Sequence, residues 1–338
     1  MVIVMKPGAD NSSVKEITNI IEAKNIKAHV FYGEERNVIG LIGDTSLLKG
    51  HDFEVYENVE RVLKIKESYK LANRNFNPNS TIIDVNGIKI GGEEIVIMAG
   101  PCSVENREQI IQTAKAVKKA GAQFLRGGAF KPRTSPYGFQ GLGEEGLKLL
   151  KEAKEETGLS IISEITSEEL IELAEKYIDI IQIGARNVQN FKLLKELGKT
   201  SKPVMLKRGM ATNIEEWLNS AEYIMSEGNS NVILCERGIR TFETATRNTL
   251  DICAVPVLKN LTHLPVIVDP SHAAGRSTYV SSLAKAGIAA GADGLIIEVH
   301  PNPKQALSDA AQQLTFEEFN ELNQKLKQIA LAVDRKVF

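Results

Sequence analysis

Eight short apolar runs between residues 95 and 298 each end in side chains that could do chemistry. Cys102, His272, Glu298 and Asp309 offer a thiolate, an imidazole and two carboxylates, a donor set that suits one divalent ion with an open position. Their scattering along the chain supplies no ligand spacing. By residue type alone Cys102 reads equally as a small buried hydrophobe and His272 as a loop residue satisfied by a carbonyl. His300, two residues past Glu298, is as good a ligand candidate, while Cys235 and Cys253 read as structural.

The second set is cationic. Arg126, Lys131 and Arg133 follow the second run, and Arg186 the fourth. Lys207 and Arg208 end the fifth, Arg237 the sixth, and Arg276 follows the seventh. Arg forks match phosphate and carboxylate bidentately, and Lys serves as a point charge. Any one of these cations could simply pair with a loop carboxylate. The whole set converging on one place is costly unless small polyanions occupy it. Lys207 has a second reading, a Schiff-base lysine activated by neighbouring cations, which would make a metal-independent aldolase.

The elements that must position these residues follow from periodicity. The runs are Ile95–Ala99, Gln123–Arg126, Ser160–Ile165, Asp179–Ile183, Val204–Lys207, Asn231–Cys235, Val266–Val268 and Gly294–Glu298, each followed by an amphipathic helical stretch. Eight strands alternating with helices over roughly 255 residues match the (β/α)₈ TIM barrel, whose catalytic groups sit at the C-terminal strand ends. Runs this uniformly apolar suit burial on both sheet faces. A doubly wound open sheet is the alternative, but no Gly-x-Gly-x-x-Gly follows the first strand. A hairpin, Thr81–Asp84 and Ile88–Ile90 around Asn86-Gly87, is placed to close the barrel floor.

Residues 1–67 read as a small ferredoxin-like α+β domain of order βαββαβ. Its strands are expected near Val2–Met5, Lys27–Tyr32, Asn37–Ile42 and Val59–Ile65. A first helix is capped by Asn11-Ser12-Ser13, and a second lies near Leu47–Tyr56. Residues 68–80, polar and Asn-rich, read as a linker, and 81–338 as the barrel.

Of 338 residues, 41 are Lys or Arg and 43 Asp or Glu, giving 41 − 43 = −2, which argues against a nucleic-acid footprint or a polybasic membrane anchor. Three cysteines make no disulfide framework and fit a reducing compartment. MVIVMKPG is too short and wrongly flanked for a signal peptide, and no apolar run is long enough to span a bilayer. A cytoplasmic protein is expected.

Taken together, Gly100-Pro-Cys-Ser103, the segment Leu125-Arg-Gly-Gly-Ala-Phe-Lys-Pro-Arg-Thr-Ser-Pro136, Gly184-Ala-Arg186, Leu206-Lys-Arg-Gly209, Cys235-Glu-Arg-Gly238, Asp269-Pro-Ser-His272 and Glu298-Val-His-Pro301 resemble 3-deoxy-D-arabino-heptulosonate 7-phosphate synthases of the type Iβ branch. The resemblance covers the whole chain, with the N-terminal unit similar to the regulatory domain that some members carry. It implies condensation of phosphoenolpyruvate with erythrose 4-phosphate, the first step of the shikimate pathway. It also implies a divalent metal, of manganese, iron, zinc, cobalt or cadmium type, on Cys102, His272, Glu298 and Asp309. Phosphoenolpyruvate would meet Arg126, Lys131, Arg186, Lys207 and Arg237, and erythrose 4-phosphate would meet Arg133, Thr134, Ser135 and Arg276. Lys131 is the expected proton donor. A homotetramer and an aromatic amino acid effector, tyrosine or phenylalanine, are further implications. The related 3-deoxy-D-manno-octulosonate 8-phosphate synthases carry an Ala-Asn-Arg-Ser-like loop where this chain has Lys131-Pro-Arg-Thr-Ser135, which favours the four-carbon sugar. A non-catalytic sensor of phosphorylated metabolites is the competing class, and it would have no need of the metal set.

Overall fold

The computed structural model describes residues 1–337 except 34, 43, 44, 46, 47, 64–66, 133, 134 and 136. These residues divide into two compact units, Met1–Ser80 with Asn260–His263, and Thr81–Lys259 with Leu264–Phe338.

In the first unit β1 (Val2–Met5), β2 (Lys27–Tyr32), β3 (Asn37–Ile42) and β4 (Val59–Leu63) form an antiparallel sheet of order β2-β3-β1-β4. With α1 (Asn11–Glu22) and α2 (His51–Glu54) this is the ferredoxin-like βαββαβ arrangement. Helix α1 turns Val14, Ile17 and Ile21 onto Ile3, Met5, Ile39 and Leu41. Its cap is Asp10, one residue before the expected Asn-Ser-Ser run, because the Asp10 carboxylate accepts from the Ser13 amide at 2.9 Å. Helix α2 is shorter than the stretch expected near Leu47–Tyr56, of which residue 47 lies outside the described residues, as do residues 64 and 65 at the expected end of β4.

Residues 68–80, polar in aggregate, nonetheless bury Tyr69, Leu71, Ala72 and Phe76. Phe76 occupies the space a side chain at Gly40 would need, since a Cβ there would lie 1.3 Å from its ring. His263 is buried with Nε2 at 2.7 Å from the Leu71 carbonyl, and burial lowers its pKa to about 4. The folded chain therefore holds a neutral imidazole that the unfolded chain protonates near 6.5. Its contribution to stability is complete above that value and is lost as pH falls towards about 4. Between pH 6.5 and 5 the expected loss is roughly 2 kcal/mol at 1.36 kcal/mol per unit. Urea midpoints of the wild type and His263→Gln at several pH values check it: the gap between them should narrow on acidification, and parallel curves would contradict the assignment.

The second unit is a closed parallel barrel. Its strands are β7 (Glu94–Gly100), β8 (Phe124–Arg126), β9 (Ser160–Ile165), β10 (Ile180–Ile183), β11 (Val204–Lys207), β12 (Val232–Glu236), β13 (Val266–Val268) and β14 (Gly294–Glu298). They pair in sequence order, and β14 pairs with β7 to close the ring. Helices α3 (Arg107–Ala120), α4 (Glu144–Thr157), α5 (Ile171–Tyr177), α6 (Phe191–Gly198), α7 (Ile214–Ser226) and α8 (Ala254–Leu261) follow β7 to β12 in turn. Short α9 (Pro270–Ala274) with α10 (Ser277–Ala289) follows β13, and α11 (Phe316–Ala332) follows β14. The strands are buried on both faces, which is why they read as continuous apolar runs.

Val96, Met98, Phe124, Ile162, Ile180, Met205, Ile233, Ile267 and Ile296 fill the interior together with Ile83, Val85 and Ile90. The last three belong to the hairpin β5 (Ile83–Val85) and β6 (Ile88–Ile90), so the hairpin packs into the barrel core as expected. One strand was not foreseen: β15 (Lys336–Val337) pairs in parallel with Glu94 and Ile95 at the start of β7. Local signals set the helix ends that aim the mouth loops. Asn106 caps α3, Asn213 and Glu216 form a capping box on α7, and Thr315 and Glu318 form another on α11.

Candidate active site

Pairing of β14 with β7 puts Glu298 opposite Gly100, and Cys102 follows two residues later. Gly100 lets β7 run close to the end of β8, because a Cβ there would strike the Arg126 carbonyl at 2.0 Å. The Cys102 amide donates to Gln313 Oε1 at 3.1 Å, which ties its loop to the segment carrying Asp309. Asp309 itself sits at φ 44°, a left-handed conformation that aspartate tolerates and that turns its carboxylate to the same place. Ligand atoms of Cys102, Glu298 and Asp309 all lie within 4.8 Å of one another. His272 completes the group, with Nε2 at 3.5 Å from Glu298 Oε1 and 3.8 Å from Asp309 Oδ2.

The imidazole is set by Asp269, which caps α9. One carboxylate oxygen accepts from the His272 amide at 2.9 Å, and the other lies 2.7 Å from Nδ1. A proton on Nδ1 leaves the Nε2 lone pair facing the cluster, the orientation a metal-ligating histidine needs. Burial also lowers the His272 pKa, outweighing the pull of Asp269 and Glu298, and so favours the neutral ring. The Cys102 thiol is pushed up to about 11, chiefly by burial and then by Glu298. Burial would raise the Asp309 carboxyl, but His272, Arg247 and Lys131 overcome it and hold it at about 2. A soft sulfur, an oriented imidazole and two ionised carboxylates fit a divalent transition metal, whose charge would also relieve the convergence of anionic donors.

Beside this cluster opens a cavity of about 460 Å³, lined among others by Arg126, Lys131, Arg186, Lys207, Arg237 and Arg240. Arg126 Nη1 donates to the Pro101 carbonyl at 2.7 Å and to Glu298 at 2.8 Å, while its buried Nε has no partner among the described residues. Lys131 Nζ donates to the Cys102 carbonyl and sulfur, each at 3.1 Å. Burial would strip its proton, but Cys102, Glu298 and Glu164 raise its pKa instead. Lys207 is buried and ion-paired with Asp269. Arg237 is pushed below the usual guanidinium range, first by burial and then by Arg247, with Asp269 offsetting only part of this. Among the described residues Arg186, Arg237 and Arg240 have no carboxylate partner. The lining holds two carboxylates, Glu164 and Asp309, against seven Arg and Lys side chains, a positive excess that a dianionic or trianionic small molecule would neutralise.

The structure thus gathers Cys102, His272, Glu298 and Asp309, and with them Arg126, Lys131, Arg186, Lys207 and Arg237. Arg133 and Thr134 lie outside the described residues. Ser135 is exposed, accepting from the Tyr137 amide at 3.3 Å, and Arg276 is exposed at the start of α10, apart from the cavity lining. His300 is engaged elsewhere: Nδ1 accepts from the Asn302 amide and Nε2 faces Glu105. Cys235 is buried in the barrel core, whereas Cys253 is exposed. The Schiff-base reading of Lys207 is disfavoured by its ion pair with Asp269, which occupies the amine.

Sequence reasoning passed over Asp269 as a working residue, and also Arg240, Arg247 and Gln312. Arg247 reaches Asp309 at 3.2 Å, and Gln312 donates to Glu298 Oε2 at 2.6 Å. Only Asp269 carried a local signal, an acidic residue three positions before a histidine and directly before a proline, which is an N-cap pattern.

Residues 64–335 match the family model for the DAHP synthetase I family, and residues 1–67 match that for the DAHP synthase ferredoxin-like domain. The chain is 51% identical to a phospho-2-dehydro-3-deoxyheptonate aldolase of Thermotoga maritima over 337 residues, covering 100% of both. It is 31% identical to a 2-dehydro-3-deoxyphosphooctonate aldolase of Geobacter sulfurreducens, over 73% of this chain and 97% of that one. Among solved structures, the crystal structure of the Thermotoga maritima phospho-2-dehydro-3-deoxyheptonate aldolase (DAHP synthase) superposes with a TM-score of 0.80 at 50% identity, covering 100% of this chain and 99% of that chain. A truncated form of the 3-deoxy-D-arabino-heptulosonate 7-phosphate synthase from the same organism superposes with a TM-score of 0.76, over 80% of this chain and 100% of that chain.

Proposed function

This chain belongs to the DAHP synthetase I family, and from that membership we propose that its barrel mouth condenses phosphoenolpyruvate, D-erythrose 4-phosphate and water to 3-deoxy-D-arabino-heptulosonate 7-phosphate and phosphate. The observation that carries the reading is the cavity with an excess of cations directly beside the Cys102, His272, Glu298 and Asp309 cluster.

In this reading Arg126, Lys131, Arg186, Lys207 and Arg237 bind the carboxylate and phosphate of phosphoenolpyruvate. The guanidinium of Arg186, without a carboxylate partner among the described residues, supplies donors that the protein leaves unused. Holding the enol carbon against the sugar aldehyde converts a two-body encounter into an oriented one, worth several kcal/mol of barrier, up to about 7 to 11 in the best intramolecular cases. Arg133, Thr134, Ser135 and Arg276 hold erythrose 4-phosphate. Cys102, His272, Glu298 and Asp309 hold a divalent metal, which when bound supplies Lewis-acid polarisation of the aldehyde oxygen. Lys131, kept protonated by the anions around it, gives its proton to the oxygen that becomes an alkoxide as the new C–C bond forms. Water adds at the second carbon of the former phosphoenolpyruvate, and phosphate leaves with C–O cleavage.

The division into a regulatory domain (1–67), a linker (68–80) and a catalytic barrel (81–338) belongs to the same reading, as do a cytoplasmic homotetramer and feedback by tyrosine or phenylalanine at the N-terminal domain. No helix among the described residues is long and apolar enough to cross a membrane. Product formation with erythrose 4-phosphate and with arabinose 5-phosphate tests the chemistry. At least a tenfold higher kcat/KM for the four-carbon sugar is expected, about 1.4 kcal/mol of discrimination. Preference for arabinose 5-phosphate would overturn the substrate assignment. Added tyrosine or phenylalanine in the same assay tests the regulation, and an unchanged rate would remove it.

A further inference from the structure

We propose that Asp269 couples the metal position to the phosphoenolpyruvate position, because its Oδ2 oxygen is shared between Lys207 Nζ in the cavity and His272 Nδ1 in the ligand cluster. The inference rests on the function proposed above and adds to it a linkage between its two ligands.

The shared oxygen cannot escape the arrangement. Asp269 is 1% exposed, its other oxygen accepts from the His272 amide at 2.9 Å, and its own amide donates to the Glu236 carbonyl at 2.7 Å. That Glu236 is in turn fixed, one carboxylate oxygen accepting from Arg208 at 2.9 Å and the other from the Gly238 amide at 2.7 Å. One buried negative charge therefore serves two donors from a fixed position, and drawing one donor away leaves more of it for the other. An anion in the cavity draws the Lys207 ammonium towards itself. Asp269 then serves the His272 N–H more fully, and the imidazole becomes a stronger donor at Nε2. In the other direction, a cation on Nε2 polarises the N–H towards Asp269, which loosens Asp269 from Lys207 and frees the ammonium for the anion. The coupling is positive, and thermodynamics requires it to be reciprocal. Asp269 acts here as a positioning residue, touching neither substrate nor metal.

The test uses the full chain, titrated with Co²⁺ and followed by the thiolate-to-cobalt charge-transfer absorption that Cys102 ligation would give, with and without phosphoenolpyruvate. Phosphoenolpyruvate should tighten Co²⁺ binding by about tenfold, and Co²⁺ should tighten phosphoenolpyruvate binding by the same factor. In Asp269→Asn the factor should fall to about a third of its wild-type value or less, the remainder being direct attraction between cation and anion. Lys207→Met keeps the proposal testable if that variant does not fold. Without phosphoenolpyruvate it should bind Co²⁺ more tightly than the wild type, and by more than Arg186→Met, which removes a cavity cation that does not touch Asp269. A wild-type factor of one, or a factor unchanged in Asp269→Asn, would overturn the coupling. So would Lys207→Met and Arg186→Met behaving alike. A missing charge-transfer band would instead overturn the metal site, and the coupling with it.

Discussion

Lys131→Met is expected to lower kcat by roughly a hundredfold to ten-thousandfold, the range associated with loss of a positioned general acid. The expectation follows from where the ammonium sits. Lys131 lines the cation cavity and reaches the Cys102 carbonyl and sulfur at 3.1 Å, so it stands between the proposed substrate and metal positions. Cys102, Glu298 and Glu164 hold its proton against the cost of burial. A methionine keeps the length and the apolar stem but carries no proton. The loss should therefore appear in kcat at saturating substrates, and the thermal midpoint should move by only a few degrees, as for a change of about 1 kcal/mol. A kcat within tenfold of wild type would assign the proton transfer to another group.

Arg126→Met should produce a double loss, in stability and in phosphoenolpyruvate affinity. The guanidinium and the Glu298 carboxylate are both nearly fully buried, at 5% and 1% side-chain exposure, with 2.8 Å between them. Burying such a pair is of little net value to the fold, but removing one partner strands the other's charge and typically costs about 3 to 5 kcal/mol. Gln312 still donates to the second Glu298 oxygen, which places the expectation at the lower end, about 3 kcal/mol in urea unfolding of the metal-free protein. The effect on phosphoenolpyruvate has a separate origin, since the Arg126 side chain also lines the cation cavity. Arg126→Lys retains a charge without the fork, so it should recover part of the stability and little of the binding. Equal stability of Arg126→Met and wild type would show that the Glu298 charge is satisfied without the arginine.

The barrel was legible because its strands are buried on both faces and every run but Ser160–Ile165 ends at or just before a charged or glycine residue at the mouth. The ferredoxin-like unit was legible from the order of its short strand-like runs and from the helical spacing of Val14, Ile17 and Ile21. Features settled by a few local contacts escaped: the cap at Asp10 rather than Asn11, and the two-residue strand β15. Residues 68–80 have a polar composition, yet five of their side chains are buried, because composition averages over a segment in which Phe76 fills the space left at Gly40. In the site, the four side chains proposed as ligands were named, whereas the residues that contact them were not. Arg247 and Gln312 meet the cluster only through the folding of loops far apart in sequence. His300, as good a candidate by type and position as His272, is engaged by Asn302 and Glu105 instead.

The most direct test of the account is phosphate release from phosphoenolpyruvate in the presence of erythrose 4-phosphate, measured on the purified chain, after chelation, and again after adding a divalent transition metal. The account predicts turnover that falls at least a hundredfold on chelation and returns with added metal, as expected when several kcal/mol of charge stabilisation is withdrawn and restored. Turnover that survives chelation would remove Cys102, His272, Glu298 and Asp309 from the chemistry and return Lys207 to its centre.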